Sequence, residues 1–161
     1  MEEQPPGERA LSGASFVFRI VRTEPPSSAE ESAALQGIDL HHLLRTIVVR
    51  RGQDDYVFVL VPGGRQIDWP RLRAHLGVNR LSLPDRDEAR AATGYERGAI
   101  TPLGSSNAWP VIADATIPGL EVVAIGAGER GVNVHAPAGP LLEHLRADVA
   151  DVTRPAELAP S

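Results

Sequence analysis

The sequence predicts an α+β fold in which a mixed, largely antiparallel, β-barrel-like sheet is flanked by short helices. About seven short runs rich in β-branched and aromatic residues are typical of strands. Segments with helix-capping residues alternate with these runs and predict short helices. Glycine and proline separate most of the segments, as expected for tight connections. Short strands interspersed with short helices indicate a curved or closed mixed sheet.

The strand-like runs are distributed along the whole chain. Two of them, RTIVVRR (45–51) and YVFVLV (56–61), are separated by Gly-Gln-Asp-Asp, a spacing that suits a β-hairpin. The remaining candidates are SFVFRIV (15–21), NRLSL (79–83), WPVIAD (109–114), EVVAIG (121–126), GVNVHA (131–136) and DVADV (148–152).

Capping residues mark the ends of the predicted helices. Ser27 and Glu30 form a capping-box pattern before a helix that Gly37 ends. Glycine is favoured after a helix because it adopts the left-handed conformation without strain. The other predicted helices are WPRLRAHL between Asp68 and Gly77, RDEARAAT between Asp85 and Gly94, and PLLEHLRA (140–147).

Chain length and composition describe one globular domain. The 161 residues, 42% of them hydrophobic, suffice for a single core. We expect the domain to span 15–152, with flexible tails at 1–14 and 153–161 that are rich in Pro, Glu, Ala and Ser. No apolar stretch is long enough for a membrane span, and the acidic N-terminus lacks the features of a secretion signal. We therefore expect a cytoplasmic protein with no membrane partner.

Charge and residue usage argue against several functions. A net charge of -5 disfavours nucleic-acid binding through a broad basic surface, although it is compatible with a local basic patch. The chain has no cysteine, which excludes disulfides, thiolate nucleophiles and thiolate metal ligands. Its five histidines show no recognised metal spacing. We therefore expect no metal and no cofactor, and we interpret the histidines as structural.

The segment GAGERG (126–131) matches the dinucleotide fingerprint G-x-G-x-x-G. That fingerprint needs a helix N-terminus after the glycines, where the pyrophosphate binds. The residues that follow here, VNVHAPAGP, alternate in polarity and contain prolines. A glycine-rich hairpin is therefore the favoured interpretation, and a nucleotide-binding protein is a third-ranked hypothesis.

A series of motifs follows in order along the chain: LLRTIVV, YVFVLVPGG, a helix ending in LG (76–77), TGYERGAITPLG, VIAD, GAGERGVNV and a terminal VADV. From about Ser15 to Val152 this order resembles the YbaK/ProX family, the free-standing relatives of the editing domain inserted in bacterial prolyl-tRNA synthetases. The most specific match is the family's G-x-x-x-P signature, found as Gly98 to Pro102. The resemblance implies a mixed β-barrel with flanking helices and hydrolysis of the ester bond between a wrong amino acid and its tRNA.

The resemblance also implies the residues of the site. The catalytic positions fall on Arg45, Gly98 and Asn133, and the substrate-binding positions on Thr46, Ala99, Ile100, Thr101, Pro102 and Gly128. Arg45 stands where the family usually has lysine, and Asn133 where it commonly has aspartate. The substitutions keep a positive charge at the first position and lose a negative charge at the second.

A loop made of glycine, proline and small residues suits this chemistry. An aminoacyl ester is already activated, so its hydrolysis needs a placed water, stabilisation of the oxyanion and a fitting pocket rather than a protein nucleophile. Gly98 allows close approach of backbone to substrate, and the N–H groups of 98–101 are candidate donors to the carbonyl or terminal ribose. Pro102 fixes its own φ and restricts Thr101, which preorganises the loop.

The sequence leaves three functions open. The leading one is trans-editing of a small amino acid such as Cys, Ala or Ser from tRNA(Pro), with the 3′ end of the aminoacyl-tRNA as partner and prolyl-tRNA synthetase as a second partner. Arginines 45, 50 and 51 would then attract the tRNA locally. The second is a non-catalytic module that binds tRNA ends or a synthetase, and the third is the nucleotide-binding protein.

Overall fold

The protein is described by a computed structural model over residues 4–156, and within that range nine β-strands alternate with five short α-helices. The strands are β1 (Arg19–Arg22), β2 (Leu44–Gly52), β3 (Asp55–Pro62), β4 (Arg65–Ile67), β5 (Val111–Asp114), β6 (Val122–Glu129), β7 (Val132–Pro137), β8 (Asp148–Ala150) and β9 (Thr153–Pro155). The helices are α1 (Pro6–Ala10), α2 (Ala29–Gln36), α3 (Trp69–Leu76), α4 (Arg86–Thr93) and α5 (Ala138–His144), and a 3-10 turn spans Leu40–His42. The predicted α+β class is confirmed.

The strands form three sheets, with the orders β1-β7-β6, β2-β3-β5-β8 and β4-β9. Pairing is antiparallel except for β3 with β5 and β5 with β8, so the sheet is mixed and largely antiparallel, as predicted. The expected barrel does not close among residues 4–156. Instead, one isolated bridge joins Leu43, the residue before the edge strand β2, to Ala124 of β6.

The helix ends follow the capping residues in the sequence. Asp68 and Asp85 each accept a hydrogen bond from the third residue after them, and Gly37, Gly77 and Gly94 adopt the left-handed conformation after their helices. One cap differs from the prediction, because Ser28, not Ser27, accepts from the N–H of Glu31. Short-range capping thus explains where these helices begin and end.

The ends of the chain are more ordered than the sequence predicts. Residues 1–14 were expected to be flexible, yet they contain α1, and Leu11 just after it is fully buried. Strand β9 lies within the other expected tail and pairs with β4. Both segments bury residues that lie outside the predicted domain bounds of 15–152. Residues 1–3 and 157–161 lie outside the described range.

Two more predictions need correction. The first strand begins at Arg19 rather than near Ser15, and NRLSL contributes only a single bridge from Ser82 to Arg50.

None of the helices in residues 4–156 is long and apolar enough to cross a membrane.

The four-stranded sheet is buried on both faces. Phe58 and Leu60 of β3 face the main core, which includes side chains of β6 and β7, while Val57 and Val59 face a second cluster built on Leu72 of α3. This explains why YVFVLV is apolar at every position instead of alternating. The main core stops at the open edge of β2, where a cavity begins.

Candidate active site

A cavity of about 500 Å³ opens beside β2. The start of α2, the turn 97–100 and the hairpin between β6 and β7 form its other walls. Six of the nine predicted site residues line it: Arg45, Thr46, Gly98, Ala99, Ile100 and Asn133. Residues far apart in the sequence thus meet at one site.

Strand β2 presents backbone groups to this cavity. It is the edge strand of its sheet, and Arg50 exchanges N–H and C=O hydrogen bonds with Ser82 on the side away from β3. Antiparallel pairing alternates along a strand, so Thr46 and Val48 also direct their N–H and C=O groups away from β3. Both residues line the cavity, where these groups are available to a ligand.

Thr46 is also distinguished by its side chain. Its Oγ1 is buried and has no hydrogen-bond partner among residues 4–156. A buried hydroxyl without a partner costs about 1–3 kcal/mol, so such groups are rare unless a ligand or water completes them. Because Thr46 also lines the cavity, its hydroxyl is a candidate contact for a ligand bound there.

The loop after α4 divides into a cavity part and a buried part. Gly98 has a φ of 92°, and Ala99 and Ile100 follow it along the cavity wall. The N–H of Ala99 is used by the carbonyl of Glu96, whereas those of Gly98 and Ile100 make no hydrogen bond within residues 4–156. The N–H of Thr101 is also unbonded within residues 4–156, but Thr101 is fully buried outside the cavity lining, so Gly98 and Ile100 are the predicted donors that remain available to a ligand.

The remaining loop residues support the turn. Thr101 is fully buried, and its Oγ1 accepts a hydrogen bond from the N–H of Leu103 at 3.3 Å. Neither Thr101 nor Pro102 lines the cavity. The two residues therefore lie outside the cavity in which we look for the substrate, and Thr101 supports the turn through its bond to Leu103.

Gly128 also lies outside the cavity lining. A Cβ built at this position would lie 2.8 Å from the ring of Tyr95, and its φ is 92°. The Tyr95 hydroxyl donates to the carbonyl of Leu103 at 2.7 Å. Gly128 is thus required for packing of the hairpin on Tyr95, and it lies outside the cavity to which its predicted role in substrate binding would belong. Gly126, by contrast, lines the cavity, and sequence analysis assigned it no role.

Asn133 lies in the cavity wall with 9% of its surface exposed. On the same face of β7, His135 hydrogen-bonds Oε1 of Gln36 at 2.8 Å, and Gln36 donates to Oγ of Ser32 at 2.9 Å. All three members of this polar chain are buried, and Ser32 lines the cavity. Because Ser32 accepts from Gln36, its own hydroxyl proton is free to point toward a ligand.

The histidine end of the polar chain is uncharged near neutral pH. Burial lowers the pKa of His135, and the positive charge of Arg19 lowers that pKa further. Oε1 of Gln36 only accepts, so Nε2 of His135 carries the proton. Sequence analysis missed Ser32 and Gln36, although their spacing of four on a predicted helix places them on one helix face.

The three arginines predicted to attract tRNA differ in their partners. Arg50 lies 3.4 Å from a carboxylate oxygen of Glu88, and Arg51 lies 2.9 Å from one of Asp55. Arg45 instead donates from Nη2 to the backbone carbonyl of Arg65, a residue outside the cavity lining. Of these three arginines, Arg45 is the one whose charge no carboxylate within residues 4–156 neutralises. Its side chain projects from the opposite face of β2 to that of Thr46.

Other cations lie at the rim of the cavity. Arg86, Arg97 and Arg130 line it, and within residues 4–156 none of them forms an ion pair. Leu83 stands beside them with 60% of its surface exposed. Asp85 and Glu129 line the same cavity, so its charges are mixed with arginines in excess, and together with the apolar surface this suits the end of a nucleic-acid strand.

The glycine-rich segment 126–131 joins β6 to β7 as a hairpin with a register shift between Gly126 and Glu129. The strand β7 follows it directly, where a dinucleotide site would have a helix N-terminus. The predicted hairpin is confirmed, and the geometry needed by the nucleotide-binding hypothesis does not occur at this segment.

Residues 23–139 match the sequence profile of the aminoacyl-tRNA editing domain. The match covers most of the chain, which therefore belongs to the aminoacyl-tRNA editing domain family. This membership confirms the resemblance that the motifs indicated. It supports a general assignment as a deacylase that acts on aminoacyl-tRNA.

Among curated relatives, EbsC of Enterococcus faecalis, to which Cys-tRNA(Pro)/Cys-tRNA(Cys) deacylase activity is ascribed, is 24% identical over 136 residues, 84% of this chain and 83% of EbsC. The proline–tRNA ligase of Thermosipho melanesiensis is 29% identical over 107 residues, 66% of this chain. That alignment spans only 19% of the ligase.

A solved structure supports the fold independently. A crystal structure described as a candidate trans-editing enzyme for prolyl-tRNA synthetase superposes with a TM-score of 0.83. It is 24% identical, and the match covers 95% of this chain and 99% of that one. At this level of identity the similarity establishes the shared fold alone.

Proposed function

We propose that this chain removes a wrongly attached amino acid from tRNA in trans by hydrolysing the aminoacyl ester. The observation that carries the proposal is the buried hydroxyl of Thr46, a residue of the cavity wall, which has no hydrogen-bond partner within residues 4–156. In a protein of the editing family, the natural ligand for that group is the aminoacyl end of a tRNA. The family membership and the available backbone donors around the cavity support the same conclusion.

The reaction requires no covalent intermediate on the protein. The oxygen of a water attacks the carbonyl carbon of the ester, and the bond from that carbon to the ribose oxygen breaks. The ribose oxygen ends with a proton from the water, and the free amino acid leaves. The group that needs stabilisation between these steps is the oxyanion.

We assign oxyanion stabilisation to the N–H groups of Gly98 and Ile100. Both residues line the cavity and neither N–H has a partner within residues 4–156. A glycine at the first position allows the carbonyl oxygen to come close to the backbone. Preorganised donors of this kind are each worth about 3 kcal/mol of transition-state stabilisation.

The amino acid itself is bound between β2 and β7 in this account. Thr46 contributes its hydroxyl and outward backbone groups, and Asn133 contributes an amide from the opposite wall. A carboxamide both accepts and donates hydrogen bonds, so it can orient a substrate amino group or the attacking water without a charge. Arg45 and the rim arginines would hold the tRNA end by their positive charge.

We further propose small amino acids, such as Cys, Ala or Ser, on tRNA(Pro) as the substrate class, and prolyl-tRNA synthetase as the protein that releases this substrate. The names of EbsC and of the proline–tRNA ligases support this choice. A synthetase pocket discriminates poorly against a smaller side chain, by about 1–3 kcal/mol, which is why a separate editing site is useful.

The alternative is a non-catalytic module that binds the tRNA end. Single-turnover release of radiolabelled amino acid, measured beside binding of uncharged tRNA, separates the two functions. The deacylase account predicts release at a rate that rises with protein concentration, together with weak, salt-sensitive tRNA binding. Tight tRNA binding without release by the folded protein would instead support the module.

A further inference from the structure

We infer that Asp39, His41 and His42 form a binding site for a divalent transition-metal ion, separate from the deacylation cavity. One ligand atom from each of the three side chains lies within 4.8 Å of the other two. Two imidazoles and one carboxylate are a donor set that Zn²⁺, Ni²⁺ and Co²⁺ accept. The sequence predicts no metal because the histidines lack the usual spacing, but the turn brings these neighbours together.

The distances require only a small adjustment for binding. Metal–nitrogen bonds of about 2.0–2.1 Å place neighbouring ligand atoms about 3.3 Å apart in a tetrahedral site. To bind the ion, the ligand atoms of the three side chains must therefore approach one another by about 1.5 Å at most. Asp39 and His41 are exposed, and His42 is partly exposed, so rotation of side chains suffices.

The hydrogen bond of His42 prepares it as a ligand. Its Nδ1 lies 2.7 Å from the carbonyl oxygen of Val122, which accepts the ring N–H. This bond fixes the tautomer and leaves Nε2 unprotonated. Metal-binding histidines almost always have such a second partner, because it orients the ring and raises its basicity.

The backbone that carries these side chains is well supported. The N–H of His42 donates to the carbonyl of Asp39, and that of Leu43 donates to the carbonyl of Leu40. Leu43 is buried, and Leu40 is packed closely enough that a Cβ on Gly63 would lie 2.3 Å from its carbonyl oxygen. The turn is thus anchored from below while its polar side chains stay accessible.

Open space beside the turn can admit the ion and its water ligands. A cavity of about 300 Å³ is lined by Asp39 and His42, together with Gly37, Ile38, Val122, Val123, Ala124 and His135. Three protein ligands leave at least one coordination position for water or another small ligand. His135 already bonds Gln36, so we assign it no place in the coordination sphere.

The test is calorimetric titration of Zn²⁺ into untagged, chelator-treated protein at neutral pH, for the wild type and for His42→Ala, His41→Ala and Asp39→Asn. We expect one ion per chain, with affinity lowered about tenfold or more in each variant. His75→Ala is the control, because His75 pairs with Asp148 at 2.6 Å and both are accessible but lack a third ligand. It should bind Zn²⁺ as the wild type does.

Three results would overturn the site: no binding by the wild type, full affinity in His42→Ala, or an equal loss in His75→Ala. Circular dichroism of each variant establishes that it is folded, and His42→Asn keeps a polar side chain should the alanine variant be unstable. The readout is metal binding alone. A failure of the deacylation proposal would therefore leave this result unaffected.

Discussion

Gly98 and Arg130 meet at the rim of the cavity, where a Cβ built on Gly98 would lie 3.4 Å from Nε of Arg130. The contact joins the loop after α4 to the hairpin between β6 and β7. It places a residue with left-handed backbone, φ 92°, beside a cation that no carboxylate within residues 4–156 neutralises. The geometry of the proposed oxyanion donors therefore depends on glycine at this position.

Gly98→Ala should lower kcat/KM for deacylation by about tenfold or more. The left-handed conformation costs a non-glycine residue about 1–2 kcal/mol, while the added methyl would meet Arg130 at an ordinary contact distance. Relaxation of the loop would misplace the N–H groups of Gly98 and Ile100. Gly77→Ala is a matched control, since its φ is 68° and its Cβ would meet no atom within 4 Å. Equal losses of activity in the two variants would contradict a local role for Gly98.

Thr46→Val should separate activity from stability. The hydroxyl has no partner to lose within residues 4–156, so replacing it with a methyl should leave the free energy of unfolding unchanged or raise it. Loss of a substrate hydrogen bond worth about 1 kcal/mol should lower kcat/KM about fivefold.

Thr93→Val is the comparison for this experiment, because Oγ1 of Thr93 is also buried but donates to the carbonyl of Ala89 at 2.8 Å. Urea unfolding should show a loss of stability in this variant and none in Thr46→Val. If Thr46→Val turned over substrate at the wild-type rate, Thr46 would not be a substrate contact.

Arg45→Ala should lower kcat/KM, and the reduction should shrink as salt concentration rises. Among residues 4–156 the Arg45 guanidinium bonds only a neutral carbonyl, so its charge can attract the tRNA backbone. Arg51→Ala should change the rate less, since Asp55 already neutralises that charge. Deacylation rates of both variants at low and high salt test whether Arg45→Ala loses more activity than Arg51→Ala. An unchanged rate for Arg45→Ala would remove Arg45 from the site.

Asp114 should make the fold sensitive to acid. Burial raises the pKa of its carboxyl, but hydrogen bonds from Thr116, Thr153 and the N–H of Val152 outweigh burial, and the net pKa lies below the ordinary 3.8. A carboxyl whose pKa is lower in the folded protein than in the unfolded chain stabilises the fold at pH values above the unfolded pKa. That stabilisation is lost as the pH falls from about 3.8 through the pKa of the folded protein.

Asp114→Asn should therefore reduce the free energy of unfolding at pH 7 and make it less dependent on pH below about 4. Urea unfolding of both proteins across this range is the measurement. Parallel pH profiles for the wild type and the variant would exclude Asp114 as the source of the acid sensitivity.

The helices could be predicted closely because their ends depend on local chemistry. Asp68 and Gly77 bracket α3 in the sequence, and the same residues cap it in the structure. The ends of the chain could not be predicted in this way. Leu11 and β9 are ordered by partners elsewhere, namely the main core and β4, which the local composition does not reveal.

The motifs predicted the site in outline, but the direction in which each side chain points depends on how the β-strands pair. Arg45 and Thr46 are neighbours in the sequence, and it is the pairing of β2 with β3 that puts them on opposite faces, with Thr46 beside Leu60 of the main core and Arg45 beside Val61 of the second cluster. Gly128 was assigned to the substrate because it belongs to the motif, whereas its packing on Tyr95 is a contact between distant segments.

The measurement that tests the central claim most directly is release of amino acid from Cys-, Ala- and Ser-tRNA(Pro), with Pro-tRNA(Pro) as the cognate control, for the wild type and Thr46→Val. We predict that the wild type releases at least one of the three mischarged amino acids and spares proline, and that Thr46→Val is slower on the same substrate. No release from any of the four by the folded protein would contradict the deacylase account and favour a module that binds without hydrolysis.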